Sequence, residues 1–412
     1  MTDNSTPQIN EKFLLFILGA IQFTHIVDFM IIMPLGDILQ RELNINPSEF
    51  SVLVSAYPLA AFLSSLFGVF FLDKFDRKKA LVIAYTGFIL GTASSALVPT
   101  TAAPDLNYYL FIGTRVVTGL FGGILGALVL SIVGDVFPLA RRGSAMGIVT
   151  MAFSLAAVMG VPLSLYLVNQ FDGNWHLPFY FVSGLGFFII LLSLFGVPSM
   201  RGHLTNQQQR PHPFETIRVA AKSRNQQQAL LLMILLILGQ FTVIPFITPY
   251  MINNVGLTQD EIPLIYLVGG ACTVISSPLV GKLVDRFGRK KVFYGMATLS
   301  MAPLLLVTHL WPISLYIVLT ISGSFFIFIS GRMIPANTML TSVVKPENRG
   351  GFMSLNSSGR SLAGGVASLI TGAIVTQEFE GAPLEHFGIV GVMACGFTLL
   401  AMYLAYRLVE GE

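Results

Sequence analysis

A row of apolar blocks, each about as long as a membrane is thick, constrains this chain more than any other feature. Phe13 to Leu35 holds few polar groups, and Ala229 to Met251 repeats the pattern. A helix rises about 1.5 Å per residue, so a block near 20 residues matches a hydrocarbon core of about 30 Å. Reading apolar blocks between polar breaks gives twelve spans. They run 13–37, 49–72, 80–98, 107–137, 144–169 and 178–198, then 229–252, 261–284, 292–309, 313–344, 351–376 and 386–408. The fourth and tenth exceed the bilayer and must tilt or protrude. Only 11% of the 412 residues are charged, where a soluble domain carries about 25%. A soluble chain of this length needs charge-faced amphipathic helices around its cores, and none is visible. The fold class expected is an all-α membrane protein of twelve transmembrane helices.

Polar composition divides the row in two. Residues 199–228 carry two glutamine triplets, two prolines and five basic residues, which reads as a solvated linker. It separates an N-terminal six-helix bundle, 1–198, from a C-terminal one, 229–412. The amphipathic piece Phe214 to Ala221 reads as a helix on the membrane surface. The first block lacks a small-residue cleavage pattern and is long enough to span, so it reads as a helix that stays. Cys272 and Cys395 both fall inside apolar blocks, which speaks against a disulfide framework and against a metal site.

Basic residues fix the expected orientation. With both termini in the cytoplasm, twenty of the 24 lysines and arginines fall on the cytoplasmic side. Only Arg41 sits in an opposite loop. Arg115, Arg332 and Arg360 fall within spans. Such loops also meet anionic membrane lipid. The pattern implies an integral protein of a bacterial inner membrane.

The two halves repeat each other. Gln22-Phe23-Thr24 recurs as Gln240-Phe241-Thr242. The stretch from Asp73 to Lys79 recurs from Asp285 to Lys291, and Arg142-Gly143 recurs as Arg349-Gly350. The offsets of 218, 212 and 207 drift in order, as small deletions in one half would produce. Two parallel six-helix repeats place a substrate site between them near mid-membrane.

Gly68 to Lys79 resembles the major facilitator superfamily's signature for the loop after the second helix. Asp73, Arg77 and Lys78 match it, and Asp76 stands where the family has glycine. The second copy, Gly281 to Lys291, keeps that glycine as Gly288. The resemblance covers the whole chain and implies the superfamily's fold. It pairs the loop with an acidic residue ending the fourth helix, here Asp135. Asp73, Arg77 and Asp135 would then latch the halves outward-facing, with Asp285 and Arg289 as the second copy. That copy has Ser342 opposite Asp135, so its latch would be incomplete. Gly113-Thr114-Arg115-Val116-Val117-Thr118-Gly119 resembles the fourth-helix motif of the drug–proton antiporter branch, whose arginine is implicated in proton coupling. Gly160-Val161-Pro162-Leu163-Ser164 resembles a reduced fifth-helix antiporter motif, as in sugar-efflux transporters.

A charge near the bilayer centre costs from about 2.5 to above 10 kcal/mol, so its presence needs a reason. Asp28 lies about 15 residues into the first span, with His25 and Thr24 three and four residues before it. These positions, extended by Gln22, read as one helix stripe before the bend at Pro34. Burial disfavours a carboxylate's charge and a nearby arginine favours it, so a group between those influences can take and release a proton. Asp28, Arg115 and His25 are the proton-coupling candidates, against a static ion pair and a packing histidine. Gln22, Thr24, Gln240, Thr242, Asn253, Arg332 and Arg360 are the substrate-cavity candidates. Pro245 and Pro249 permit bending of the seventh span. Gly122-Gly123, Gly126 and Gly364-Gly365 read as close helix packing.

These features point to a monomeric secondary transporter working by alternating access. It would exchange a small organic molecule, drug-like, sugar-like or a metabolite, for protons. No GxxxxGK[ST] loop is present, which speaks against ATP coupling, and no cofactor, metal or nucleic-acid partner is implied. The rivals are an organic-anion exchanger, favoured by three intramembrane arginines against one aspartate, and a proton-coupled uptake symporter. A membrane-embedded enzyme would need a nucleophile–base pair or metal cluster in the spans. A sensor would carry an added soluble domain. Neither feature is found.

Overall fold

The structure is a computed structural model and describes residues 10–71, 75–99, 104–200, 213–344 and 349–409. Its helices are α1 (Glu11–Ile31), α2 (Gly36–Leu43), α3 (Pro47–Phe71), α4 (Arg77–Ala96), α5 (Pro104–Val136), α6 (Leu139–Leu155), α7 (Val161–Gln170) and α8 (Leu177–Gly196). After the linker come α9 (Pro213–Lys222), α10 (Arg224–Phe241), α11 (Ile247–Tyr250), α12 (Ile262–Phe287), α13 (Arg289–Thr308), α14 (Leu315–Ser342), α15 (Arg349–Ile374) and α16 (Phe387–Arg407). Helices α6 and α7 join through a π turn, Ala156–Gly160. Helices α10 and α11 join through Ile244–Phe246 and run on into a second π turn, Met251–Val255. Taken so, twelve long helices form two bundles of six. Among the described residues the only β pairing is one isolated bridge, Thr376 with Glu385.

Among the described residues, eleven of these helices are long and apolar enough to cross a membrane. The exception is α15, which carries Ser354, Asn356, Ser357, Ser358, Arg360 and Ser361 in one run. Such a helix is tolerated in lipid only with its polar side turned to protein or a cavity. It is packed along α3 of the other bundle: Ser358 meets Ser65 at 2.9 Å, and Ser368 donates to the Ser51 carbonyl at 3.1 Å. Gly365 makes room there, since a Cβ would stand 2.6 Å from Leu59. Gly123 serves α3 and α5 likewise, against the Ala61 backbone. Gly126 does not; a Cβ there would meet nothing within 4 Å, so the expected packing role falls.

The breaks follow the prolines. Helix α1 ends at Ile31 before Pro34, and α10 ends before Pro245. The π turn at Ala156–Gly160 ends two residues before Pro162. Proline lacks an N–H and clashes with the preceding turn, so carbonyls there need other donors. Thr371 supplies one, donating its hydroxyl to the Thr242 carbonyl at 2.7 Å.

The apolar clusters show how the bundles meet. At the face away from the basic loops, one cluster runs through both bundles, joining Phe50, Phe111 and Trp175 to Phe246, Tyr250 and Phe325. Toward the basic face each bundle keeps its own cluster. One is built on Leu14, Leu81 and Leu128, the other on Met233, Met339 and Ala401. Apolar burial thus ties the halves together at one end and leaves them separate at the other.

Candidate functional site

Helix α1 carries Asp28, and α5 carries Arg115 across from it. Arg115 Nη1 donates to both carboxylate oxygens of Asp28, at 3.1 and 3.0 Å. Its Nη2 reaches the Asp28 carbonyl at 3.3 Å. Thr92 of α4 donates to Asp28 Oδ1 at 3.0 Å. Asp28 is 0% exposed and Arg115 1%. Three helices therefore converge on one buried ion pair. Such a pair holds only while both members stay charged and bonded.

Around the pair lie polar atoms without partners. The Arg115 guanidinium stands over the Tyr57 ring, 5.0 Å from its centroid. The His25 ring lies 6.1 Å from Tyr57 and 5.6 Å from Phe88. Gln22 Oε1, His25 Nδ1, Tyr57 Oη and Arg115 Nε are all buried with no hydrogen-bond partner among the described residues. Gly122 is what leaves room, since a Cβ there would meet Tyr57 Oη and stand 3.2 Å from His25 Nε2. Buried groups are ordinarily satisfied, so His25, Tyr57 and Arg115 leave unmet hydrogen-bonding capacity beside the pair, with Gln22 one turn further along α1.

The expected stripe on α1 splits. At about 100° per residue, Gln22 and Thr24 stand roughly 160° apart. Thr24 turns into the bundle, fully buried, its hydroxyl 2.9 Å from that of Tyr85. It packs α1 against α4 here. No hydrogen bond joins His25 to Asp28 among the described residues, so the geometry holds no direct relay between them.

In the C-terminal bundle Arg332 of α14 is 0% exposed. It donates to the hydroxyls of Ser300 at 3.2 Å and Thr398 at 2.8 Å, and to the Leu236 carbonyl at 3.4 Å. No carboxylate meets it among the described residues. Arg360 of α15 is half-buried and makes no hydrogen bond or ion pair among them. Gln240 is likewise half-buried near the end of α10. Thr242 caps α10, fully buried, with its hydroxyl toward the Gly239 carbonyl. Proline-driven unwinding put it at a hinge.

Asn253 lines a cleft between the bundles together with Asp37, Arg41 and Gln377. It lies at the face away from the basic loops and donates to Asp37 Oδ1 at 3.0 Å. Asp37, at the start of α2, is a residue the sequence reading missed. It also accepts from Gln259 Nε2 at 2.7 Å and pairs with Arg41 at 2.7 Å. Asn169 adds a bond to the Gln259 carbonyl at 2.8 Å. These contacts clasp the two bundles. The available signal was Arg41, the one opposite-side cation, four residues from an acid and so within i,i+4 reach.

Of the latch residues, Asp73 lies outside the described residues. Arg77 Nε donates to Asp135 Oδ2 at 3.0 Å, joining the start of α4 to the end of α5 within the N-terminal bundle. Asp76 caps α4, accepting from the Lys78 N–H at 2.9 Å, the Met200 N–H at 3.2 Å and the Ser199 hydroxyl. In the second copy Asp285 is exposed, Arg289 is half-buried with partners of its own, and Gly288 holds φ +84°.

The sequence profile described as Major Facilitator Superfamily matches residues 18–239 and again 229–411. A Bacillus subtilis protein, "Uncharacterized MFS-type transporter YbcL", is 24% identical over 94% of this chain and 95% of its own length. A Helicobacter pylori "Probable sugar efflux transporter" is 26% identical over 73% of this chain and 74% of its own. Among solved structures, a D-xylose-proton symporter aligns with a TM-score of 0.73 at 17% identity, covering 95% of this chain and 96% of that one. An inward-facing bacterial homologue of the lysosomal transporter Spinster aligns with 0.72 at 17% identity, covering 96% and 98%.

Proposed function

The chain belongs to the major facilitator superfamily, and we propose that it exports a small organic compound in exchange for protons, by alternating access. The observation that carries this reading is the buried Asp28–Arg115 pair with unsatisfied polar atoms around it. A carboxylate in a low-dielectric interior, held charged by one arginine, changes partner strength when it takes a proton. Protonation removes the ion pair and frees Arg115, which alters the contacts of α1, α4 and α5 together. Binding a proton more tightly in one conformation than the other is the requirement for coupling. A relative named as a sugar efflux transporter supports export as the direction.

The bundles act as two bodies, 1–198 and 229–412, joined by the linker. The Asp37 clasp and the shared apolar cluster close one mouth. The separate clusters at the basic face let the other open. The basic-loop asymmetry supports a cytoplasmic location for that mouth and for both termini, in a bacterial inner membrane. The monomer contains both halves of the site.

Asp28→Asn tests the reading. It keeps the shape and fixes the uncharged form. Purified protein in liposomes under an imposed pH gradient should lose proton flux evoked by a transported compound, while still binding that compound. Wild-type accumulation by the asparagine variant would sink proton coupling at Asp28. The exchanger reading, centred on Arg115, Arg332 and Arg360, would then take its place.

A further inference from the structure

The membrane interior holds three arginines and one mid-span aspartate, and the surplus lies in one bundle. Arg115 is neutralised by Asp28. Arg332 is sealed by two hydroxyls and a carbonyl. Arg360 differs from both: it is half-buried and has no partner among the described residues.

Its place on α15 follows from its neighbours. Thr371 bonds the Thr242 carbonyl of the seventh span, and a Cβ on Gly364 would lie 3.9 Å from the Phe241 ring. Positions 371, 364 and 360 are separated by seven and four residues, so they share one helix face. Arg360 therefore stands one turn from Phe241 toward the basic face. Phe241 meets the Phe29 ring at 5.8 Å, and Phe29 meets Tyr57 at 5.3 Å. These rings bridge the two bundles. Asn356, one turn beyond Arg360, has a buried amide oxygen without a partner.

An uncompensated cation here is costly, and a ligand anion would remove that cost. Guanidinium matches a carboxylate through two parallel N–H···O bonds. The rings beside it offer an apolar shelf to the remainder of such a ligand. We propose that the transported compound is an organic anion, a carboxylate on an apolar body, with its charge on Arg360 and its body against Phe29 and Phe241. This rests on the transporter reading but not on proton coupling.

The test uses the purified full-length protein in neutral maltoside detergent, with benzoate and 1-naphthoate as probes. The uncharged amide and the cationic methylammonium of each ring are the comparators. Thermal unfolding should rise saturably with the carboxylates alone. Arg360→Gln should weaken that response roughly thirtyfold or more, and Arg360→Lys should restore part of it. If the glutamine variant fails to fold, the lysine variant, weaker than wild type for carboxylate and unchanged for amide, carries the test. Equal response to all three probe charges, or full affinity in Arg360→Gln, would overturn the proposal. Adding phosphatidylglycerol separates a lipid headgroup from a free anion. Arg360-dependent loss of naphthoate binding would make this a lipid site and overturn the proposal. Counterflow in liposomes separates the two levels. Movement of a neutral compound, undiminished by Arg360→Gln, overturns the anion assignment and leaves the transporter reading standing. No counterflow of any probe defeats both.

Discussion

In the N-terminal bundle a buried arginine meets a carboxylate at 3.0 Å; in the C-terminal bundle one meets two hydroxyls and a carbonyl. The repeat carries no second carboxylate into the C-terminal bundle. The offset of 218 that carries Gln22 to Gln240 carries Asp28 to Phe246, which is fully buried against Phe50. One half solved the problem of an interior cation with a charge, the other with dipoles. A charge can be switched off by a proton, whereas hydroxyls and a carbonyl cannot. The same scaffold thus holds one interior cation against a titratable group and the other against neutral dipoles.

The largest effect expected from breaking this contrast is at Arg115. Arg115→Ala leaves Asp28 buried and unpaired, which costs about 3–5 kcal/mol for a pair of this kind unless the carboxylate takes a proton. Arg332→Met removes a cation that had no counter-charge and leaves only neutral acceptors, about 1–3 kcal/mol. Thermal unfolding of both purified variants at neutral and at acidic pH checks this. The Arg115 variant should recover stability as pH falls, because protonation neutralises the orphaned carboxylate, and the Arg332 variant should not. Equal losses with equal pH dependence would erase the distinction between the halves.

A second contrast sets the two membrane faces against each other. The clasp at Asp37 crosses between the bundles, while the Arg77–Asp135 pair joins two helices of one bundle. Asp37→Asn should therefore loosen closure at its face by roughly 1–2 kcal/mol, the loss of charge from bonds to Asn253, Gln259 and Arg41. Distances between labels on α2 and α12 would read the shift toward an open mouth. An unchanged distance distribution would mean that the shared apolar cluster alone holds this mouth shut.

The twelve-helix fold and the intramembrane charges were legible because lipid admits so few solutions: apolar length, basic-loop asymmetry and repeated motifs each speak plainly. Asp28 facing Arg115 was legible as chemistry before it was visible as geometry. What failed was direction. Thr24 and Gln22 share a helix but not a face, and only packing against Tyr85 decides where Thr24 turns. The depth of Asn253 was hidden, because prolines and a π turn obscure where the seventh span ends. Asp37 was passed over because nothing in one sequence says which residues of the opposite bundle come to meet it.

The smallest effect tests the two copies of the basic-loop motif. Asp76 and Gly288 are equivalent by the offset of 212, and each precedes the first residue of a helix. Asp76 holds φ −55°, a conformation open to any residue, and its carboxylate accepts from Lys78, Ser199 and Met200. Gly288 holds φ +84° and ψ 147°, which side chains rarely adopt, and its helix begins without a side-chain cap. The first copy thus starts its helix with a side chain and the second with a backbone conformation. Asp76→Gly makes the first copy resemble the second. Glycine is tolerated at a helix start, so the cap itself loses only a few tenths of a kcal/mol, and the lost ties to Ser199 and Met200 bring the total to about 1 kcal/mol. Asp76→Ala should cost more, because alanine neither caps nor adopts the alternative backbone. Thermal unfolding of the two variants in the same detergent gives the order. If alanine proves no worse than glycine, the carboxylate is not what starts α4, and the end of α8 is held to it by other contacts.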